Sequence, residues 1–299
     1  MEKTEKTTGR RKLMRMHWFD WVNYVLLAVL VLMMVYPMWY VLVGAFSDGQ
    51  DYSYGGVWLW PRMWSLTSFK VVLLDERLWI GLRNTVGRTV LGTFLSLAFT
   101  SAVAYGMSRS DLPAKKFFQI ANVFTMFFSG GFIPYYLIIT LLGFYDTFWV
   151  YIIPNIYSVS NMIIISTFFK NVPEELHEAA LLDGASEIRI WLTIYMPLSV
   201  PILATVGLWL AVGNWNSYFN TMVFTRDSNL ITLQYYLLRV IKESSMPAST
   251  AIPAAELERV TSTTVSYAAI VIATIPIVVA YPFIQKAFAN GAMVGAVKG

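Results

Sequence analysis

The sequence predicts an all-α integral membrane protein with six spanning helices, and three observations carry that class. The 299 residues are 57% hydrophobic and 16% aromatic, with 13% charged, about half the charged share of a soluble domain. Six stretches are apolar over the ~20 residues that a helix rising 1.5 Å per residue needs to cross roughly 30 Å of hydrocarbon. Lys and Arg collect in the amino-terminal tail and in one short loop, a topological bias. Helices are the structure such stretches require, because they pair every backbone group where no water can.

The elements follow in order. Residues 1–20 form a cytoplasmic tail holding Lys3, Lys6, Arg10, Arg11, Lys12 and Arg15. Span one covers 21–47 without a charge; it is too long for a signal-peptide core and is expected to be retained. Span two covers 84–108, uncharged from Thr89 onward, with Arg88 expected to snorkel outward. Spans three (117–143) and four (147–169) are parted by the turn GFYDT around Asp146, and Gly130, Gly131 and Pro134 loosen or kink the third. Spans five (198–219) and six (260–285) complete the six-helix unit over 21–286, and a tail covers 287–299. Arg109, Lys115 and Lys116 lie in the loop after span two, on the same side as the basic tail if spans alternate. That side reads as cytoplasm, so both termini and the loop 170–197 are expected there.

Two segments fall on the outer side. Residues 47–79 are tryptophan-rich, suited to the membrane interface, with a short helix expected around Ser68–Leu74. Residues 225–260 begin with an amphipathic helical pattern and end in a Pro/Ala/Ser stretch.

Composition excludes several functions. No cysteine means no disulfide, thiolate catalysis or Cys-built metal site. His17 and His177 are too few for a histidine metal centre, and the net charge of +4 reads as topology, not nucleic-acid binding. No GxxxxGK[ST] loop is present, so the chain is expected neither to bind nor to hydrolyse ATP. No catalytic, cofactor or metal residues are assigned.

One segment breaks the apolar pattern. In EELHEAALLDGASEIRIWLTIYMPLSVP (174–201) five carboxylates, Glu174, Glu175, Glu178, Asp183 and Glu187, fall within fourteen residues. Asn171 suits a helix cap, Pro173 the first turn, and Glu174 and Glu175 the positive helix end. Leu176, Ala179, Ala180 and Asp183 share a face made shallow by its alanines. Asp183-Gly184 breaks the helix, and SEIRIWLTIYM leads back to Pro197 and the membrane. His177, without a partner histidine, reads as a surface or docking residue. The plain alternative is a solvated amphipathic loop whose charges keep it out of lipid.

This pattern resembles the EAA loop of ATP-binding-cassette (ABC) importer permeases, in which Glu-Ala-Ala, three residues, Gly and a hydrophobic run end near Leu-Pro. Glu178, Ala179, Ala180, Gly184, Ala185 and Pro197 match; Met196 stands where Leu is usual. AYGMSR (104–109), the run 128–169, AVGNWNSYFN (211–220) and the carboxy-terminal YPFIQKAFANGAMVGAVKG resemble the carbohydrate branch of the maltose-permease-like family, the last its subgroup for complex oligosaccharides such as alginate or pectin fragments. The resemblance implies the type I importer permease (MetI-like) fold in a bacterial cytoplasmic membrane. It also implies a coupling helix formed by Glu175, Glu178, Ala179, Ala180, Asp183, Gly184, Ala185 and Pro197. That helix would dock on one of two partner ATPases, which would bind ATP and Mg. Further implied partners are a second homologous permease in a heterodimer, an extracytoplasmic solute-binding protein meeting the 225–260 loop, and an oligosaccharide cargo. The tail GAMVGAVKG would reach between the ATPases.

Amides inside a membrane must face protein or a wet cavity. Tyr136, Asn155, Asn214, Trp215, Asn216, Tyr218 and Asn220 are the candidate pathway residues, since sugars need amides for hydroxyls and aromatic faces for C–H surfaces; helix-to-helix bonding is the competing role for such amides. Asn161 is a further span-embedded amide. A self-contained secondary sugar transporter is the rival function, but no ionisable group is expected well inside a span. An enzyme acting on lipid-linked sugars would need clustered acid, base or cation groups, and the one acidic cluster lies in the loop. No span is expected to bury a cation against a uronate, so acidic and neutral cargoes both remain open.

Overall fold

The computed structural model describes residues 18–242 and 253–296. The basic tail through His17, most of the Pro/Ala/Ser stretch (243–252) and residues 297–299 lie outside the described residues. Everything described is helix, turn or loop, apart from an isolated antiparallel bridge between Ser47 and Trp64.

Helix α1 runs Trp18–Ala45 and is buried only at Val43, Gly44 and Ala45. Asp48 then starts α2 (Gly49–Ser53) by accepting from the backbone N–H of Gln50 at 3.0 Å and Asp51 at 3.3 Å. The outer short helix expected around Ser68–Leu74 is α3, Thr67–Leu73. Asp75 caps α4 (Glu76–Ser108), so the second apolar element starts eight residues earlier than its apolar pattern suggested.

Helix α4 is the central post. Its buried positions include Gly81, Thr85, Gly92, Ser96, Thr100, Ser101 and Ala104, small groups that let other helices approach closely. The helices at Val159–Phe169, Val200–Asn216 and Leu233–Lys242 pack on it. Helices α5 (Lys115–Phe127) and α6 (Phe132–Leu141) replace the single continuous third span: they meet at 112°, with Gly131 at φ +86° in the joint. The Gly-Gly pair makes more than a kink, because glycine reaches that φ without steric cost.

The fourth segment is two short 3₁₀ turns, Phe148–Tyr151 and Ile153–Asn155, then α7 (Val159–Phe169), with a 51° bend. Next come α8 (Glu174–Leu182), α9 (Glu187–Ile190), a π turn at Trp191–Tyr195 and α10 (Met196–Leu198). An 87° bend leads into α11 (Val200–Asn216). Helix α12 (Phe219–Phe224) and a 3₁₀ turn at Ser228–Leu230 precede α13 (Leu233–Lys242), the amphipathic helix expected in the outer segment. Helices α14 (Ala254–Leu257) and α15 (Ser262–Ala296) close the chain, α15 continuing past the expected end of the sixth span. By length and composition, α1, α4 and residues 262–279 of α15 can each cross a membrane; counting each bent pair as one span gives up to six among the described residues.

Three apolar clusters hold these elements. One joins the end of α1 to α3, α4, α13 and α15 through Ala45, Val72, Leu78, Leu237 and Ala268. A second gathers Tyr105, Met162, Phe169, Ile190, Tyr195 and Val206 beneath α8. The third packs Ile139, Tyr151 and Phe224.

Arg88 departs from expectation. It does not snorkel: its side chain is among the largest fully buried, at 1% exposure, and donates from Nη1 to the carbonyl of Ser217 at 3.0 Å. The second apolar helix therefore does bury a cation. The reason is local: the carbonyl end of α11 and the ring of Tyr151, 4.8 Å from Cζ, offer it a better setting than the lipid edge.

Candidate functional site

Helix α8 begins at Glu174, after Pro173, with no side-chain cap; Asn171 does not cap it, and Glu174 and Glu175 in the first turn complement its positive end instead. Its other end explains the Glu-Ala-Ala…Gly-Ala spacing. Gly184, at φ +78°, turns the chain back, its N–H donating to Leu181 O at 2.9 Å while that of Ala185 donates to Ala180 O at 3.0 Å. That pair of bonds is a Schellman closure, which calls for a left-handed residue at the turn and an apolar contact between the positions that Ala180 and Ala185 occupy. Both alanines pack against the second apolar cluster. Ser186 then caps α9, accepting from Arg189 N–H at 3.4 Å.

The two adjacent alanines thus part company. Ala180 turns inward, while Ala179 is exposed with Glu175, Glu178 and Asp183. Leu182, at the tip, is 90% exposed. Pro197 lies exposed in α10, at the 87° bend.

His177 is not on the surface. It is 1% exposed, and its Nε2 lies 3.2 Å from Glu187 Oε2. The same Oε2 accepts the hydroxyl of Tyr105. Tyr195 packs edge-on against Tyr105 at 4.8 Å, Phe169 at 5.5 Å and His177 at 6.4 Å. The Tyr105 hydroxyl, and secondarily His177, hold the Glu187 carboxyl below the usual carboxylate range. Arg109 reaches Asp111 at 3.3 Å and Glu174 at 3.8 Å. Tyr105 and Arg109 belong to AYGMSR, a stretch that stands out in the sequence although its role as the seat of the loop does not. The result is a short helix whose inner side is tied to α4, α7 and the π turn while its outer side carries carboxylates and a bare leucine.

The amide candidates do not converge on one cavity; several surround the break between α11 and α12. Asn214 Nδ2 lies 3.5 Å from Thr93 Oγ1 of α4. Asn216 Oδ1 accepts from Gln234 Nε2 at 3.5 Å, and Asn220 donates to Val150 O at 3.4 Å. These are long, weak bonds. Tyr218, in the break itself, is exposed. Trp215 packs its ring on the first apolar cluster, with Nε1 buried and unbonded. Asn155 is exposed, its carbonyl accepting from Ser96 at 3.2 Å, and Asn161 is half-buried, its backbone N–H donating to Ser158 Oγ at 3.4 Å. Tyr136 stacks on Phe224 at 5.7 Å. Arg88 reaches the same break through Ser217, a neighbour that residue spacing could not reveal.

The model of the family described as binding-protein-dependent transport system inner membrane component matches residues 13–293. The polygalacturonan/rhamnogalacturonan transport system permease protein YtcP of Bacillus subtilis (strain 168) is 35% identical, over 94% of this chain and 98% of its own length. Protein LplC of the same organism is 34% identical, over 94% and 95%. Among solved structures, a bacterial ABC transporter involved in the import of the acidic polysaccharide alginate superposes with a TM-score of 0.82 at 32% identity, covering 90% of this chain and 95% of that one.

Proposed function

The chain belongs to the family of binding-protein-dependent transport system inner membrane components, and from that premise we propose the part it plays as the permease subunit of an oligosaccharide ABC importer. It is a transporter subunit, not an enzyme. Its six spans, counting each bent pair as one, sit in a bacterial cytoplasmic membrane with both termini inside. A second, homologous permease completes the pathway, a solute-binding protein delivers cargo from outside, and two partner ATPases bind ATP and Mg.

The observation that carries the coupling role is the two-sided build of α8. Its inner side is fixed to α4 through His177, Glu187 and Tyr105 and packs on the cluster that holds Phe169 of α7, so a push on it is passed to these helices. Its outer side presents Glu175, Glu178, Ala179, Leu182 and Asp183 to a partner. An exposed leucine beside an alanine, rimmed by carboxylates, suits an apolar groove bordered by cations.

The cargo we propose is an acidic oligosaccharide. Support comes from the substrates named for the polygalacturonan relative and the alginate structure, and from the buried cation Arg88 beside the asparagine-flanked break. The reading is tested by Glu178→Lys in the assembled importer. The variant is expected to reach the membrane and assemble while import falls far below wild type at undiminished ATP hydrolysis; normal import would remove the coupling role. A self-contained secondary transporter would import without the ATPases.

A further inference from the structure

Arg88 is under-bonded for its burial. A guanidinium carries five N–H donors, and this one, at 1% exposure, makes a single hydrogen bond, from Nη1 to Ser217 O at 3.0 Å. Its Nε is buried without a partner. No carboxylate of the described residues lies within ion-pair distance of it. What offsets the charge is the carbonyl end of α11 and the face of Tyr151. Unpaired donors on a buried charge are costly, and intramembrane cations characteristically mark a ligand or ion pathway.

The geometry has direction. With Nη1 occupied, the unbonded edge includes Nε, the edge with which arginine grips a carboxylate through two parallel bonds. The bond that is made ends on Ser217, an extended residue (φ −81°, ψ 125°) between α11 and α12. Around that break the amides of Asn214, Asn216 and Asn220 are held by bonds of 3.4–3.5 Å, so little bonding resists its opening. Arg88 lies 20 residues before Ser108, or about 30 Å along α4, which places it at the outer mouth if Ser108 is cytoplasmic.

We propose that Arg88 is a carboxylate-binding residue for acidic sugars. In the closed break the guanidinium caps α11. When the break opens, the Nε edge takes a uronate carboxylate while the surrounding asparagines take hydroxyls. This rests on the acidic-cargo reading above and adds the residue that recognises the charge.

The test uses proteoliposomes holding the complete importer, with its second permease, ATPases and binding protein. Oligogalacturonate import is compared with import of the same oligomer as its neutral methyl ester, each as the ratio of variant to wild type. Arg88→Gln can still donate to Ser217 but has no charge. It is expected to lower the acidic ratio about tenfold or more, the scale of a lost charged hydrogen bond, and to leave the ester within about twofold. Arg88→Lys is expected to keep a large part of acidic import. Equal loss for both cargoes reduces Arg88 to a structural cap and overturns the proposal, as does no loss for either. If wild type carries only the acid, Gln and Lys decide: a Gln-specific loss supports the proposal and equal losses overturn it. Wild-type import of the ester but not the acid refutes the acidic-cargo reading itself, and the proposal falls with it.

Discussion

His177 and Glu187 face each other across the turn made by Gly184, Nε2 to Oε2 at 3.2 Å, and the carboxylate also holds the hydroxyl of Tyr105 on α4. One acidic side chain therefore fixes both arms of the loop to the bundle.

That contact gives the loop a pH dependence with a defined sign. The Glu187 carboxyl is depressed, by the Tyr105 hydroxyl first and His177 second. A depressed carboxyl contributes stability above the ordinary glutamate range, about pH 4.3, and loses it as pH falls through its folded-state value. In amide hydrogen exchange of the detergent-solubilised protein, protection over 174–190 is expected to fall as pH is lowered through and below that range, once the intrinsic exchange rate is corrected for. In Glu187→Gln the profile should flatten. Since Glu187 is half exposed, the effect is local and small; a profile identical in both proteins would show that the pair holds nothing.

Gly184 should tolerate alanine better than valine. A Cβ there meets nothing within 4 Å, so the cost is backbone strain alone. For alanine at this positive φ it is about 1–2 kcal/mol, and a β-branched residue fares worse. The expected order in import assays at matched expression is glycine above alanine above valine. Equal activity of alanine and valine would count against the Schellman turn.

Leu182→Glu should separate folding from assembly. The side chain is 90% exposed, so the unfolding free energy of the isolated permease should stay within about 0.5 kcal/mol of wild type. Co-purification of the ATPases, in contrast, should drop sharply. Retained co-purification would place the docking contact elsewhere.

Gly49 and Gly106 make a paired prediction about packing. A Cβ on Gly49 would lie 2.6 Å from the backbone N of Thr261 and 2.8 Å from Arg259 O, whereas one on Gly106 meets nothing within 4 Å. Gly49→Ala must part α2 from the segment leading into α15, at about 1–3 kcal/mol. Gly106→Ala, inside α4, should be neutral or slightly stabilising. Thermal unfolding of the two variants side by side checks both.

Much of the loop was legible because its signals are local. The five-residue step from Ala180 to Ala185 and the glycine between them encode the turn without help from the rest of the chain. The α3 and α13 helices were legible for the same reason. What escaped were decisions made at a distance. An arginine at the edge of an apolar run can point to water or fold inward, and Ser217, 129 residues away, decides it for Arg88. His177 sits on a mixed helix face, and the ring of Tyr195 and the carboxylate of Glu187 hold it inside. The Gly130-Gly131 pair announced a weak point in the third span, but the 112° angle depends on what α5 and α6 pack against.

The first helix carries a last consequence. It is anchored over its last two turns, where Val43 to Ala45 are buried, Tyr40 packs on Tyr52 and Tyr267, and Trp39 donates to Leu59 O, and it is exposed above them. Such an element behaves as a boom on a pivot: bending its exposed amino-terminal part disturbs little packing within its own chain. Its apolar flank is then available to grease a neighbouring subunit or the acyl chains around it, and that part can shift during transport without unfastening the turns that hold the helix to the bundle.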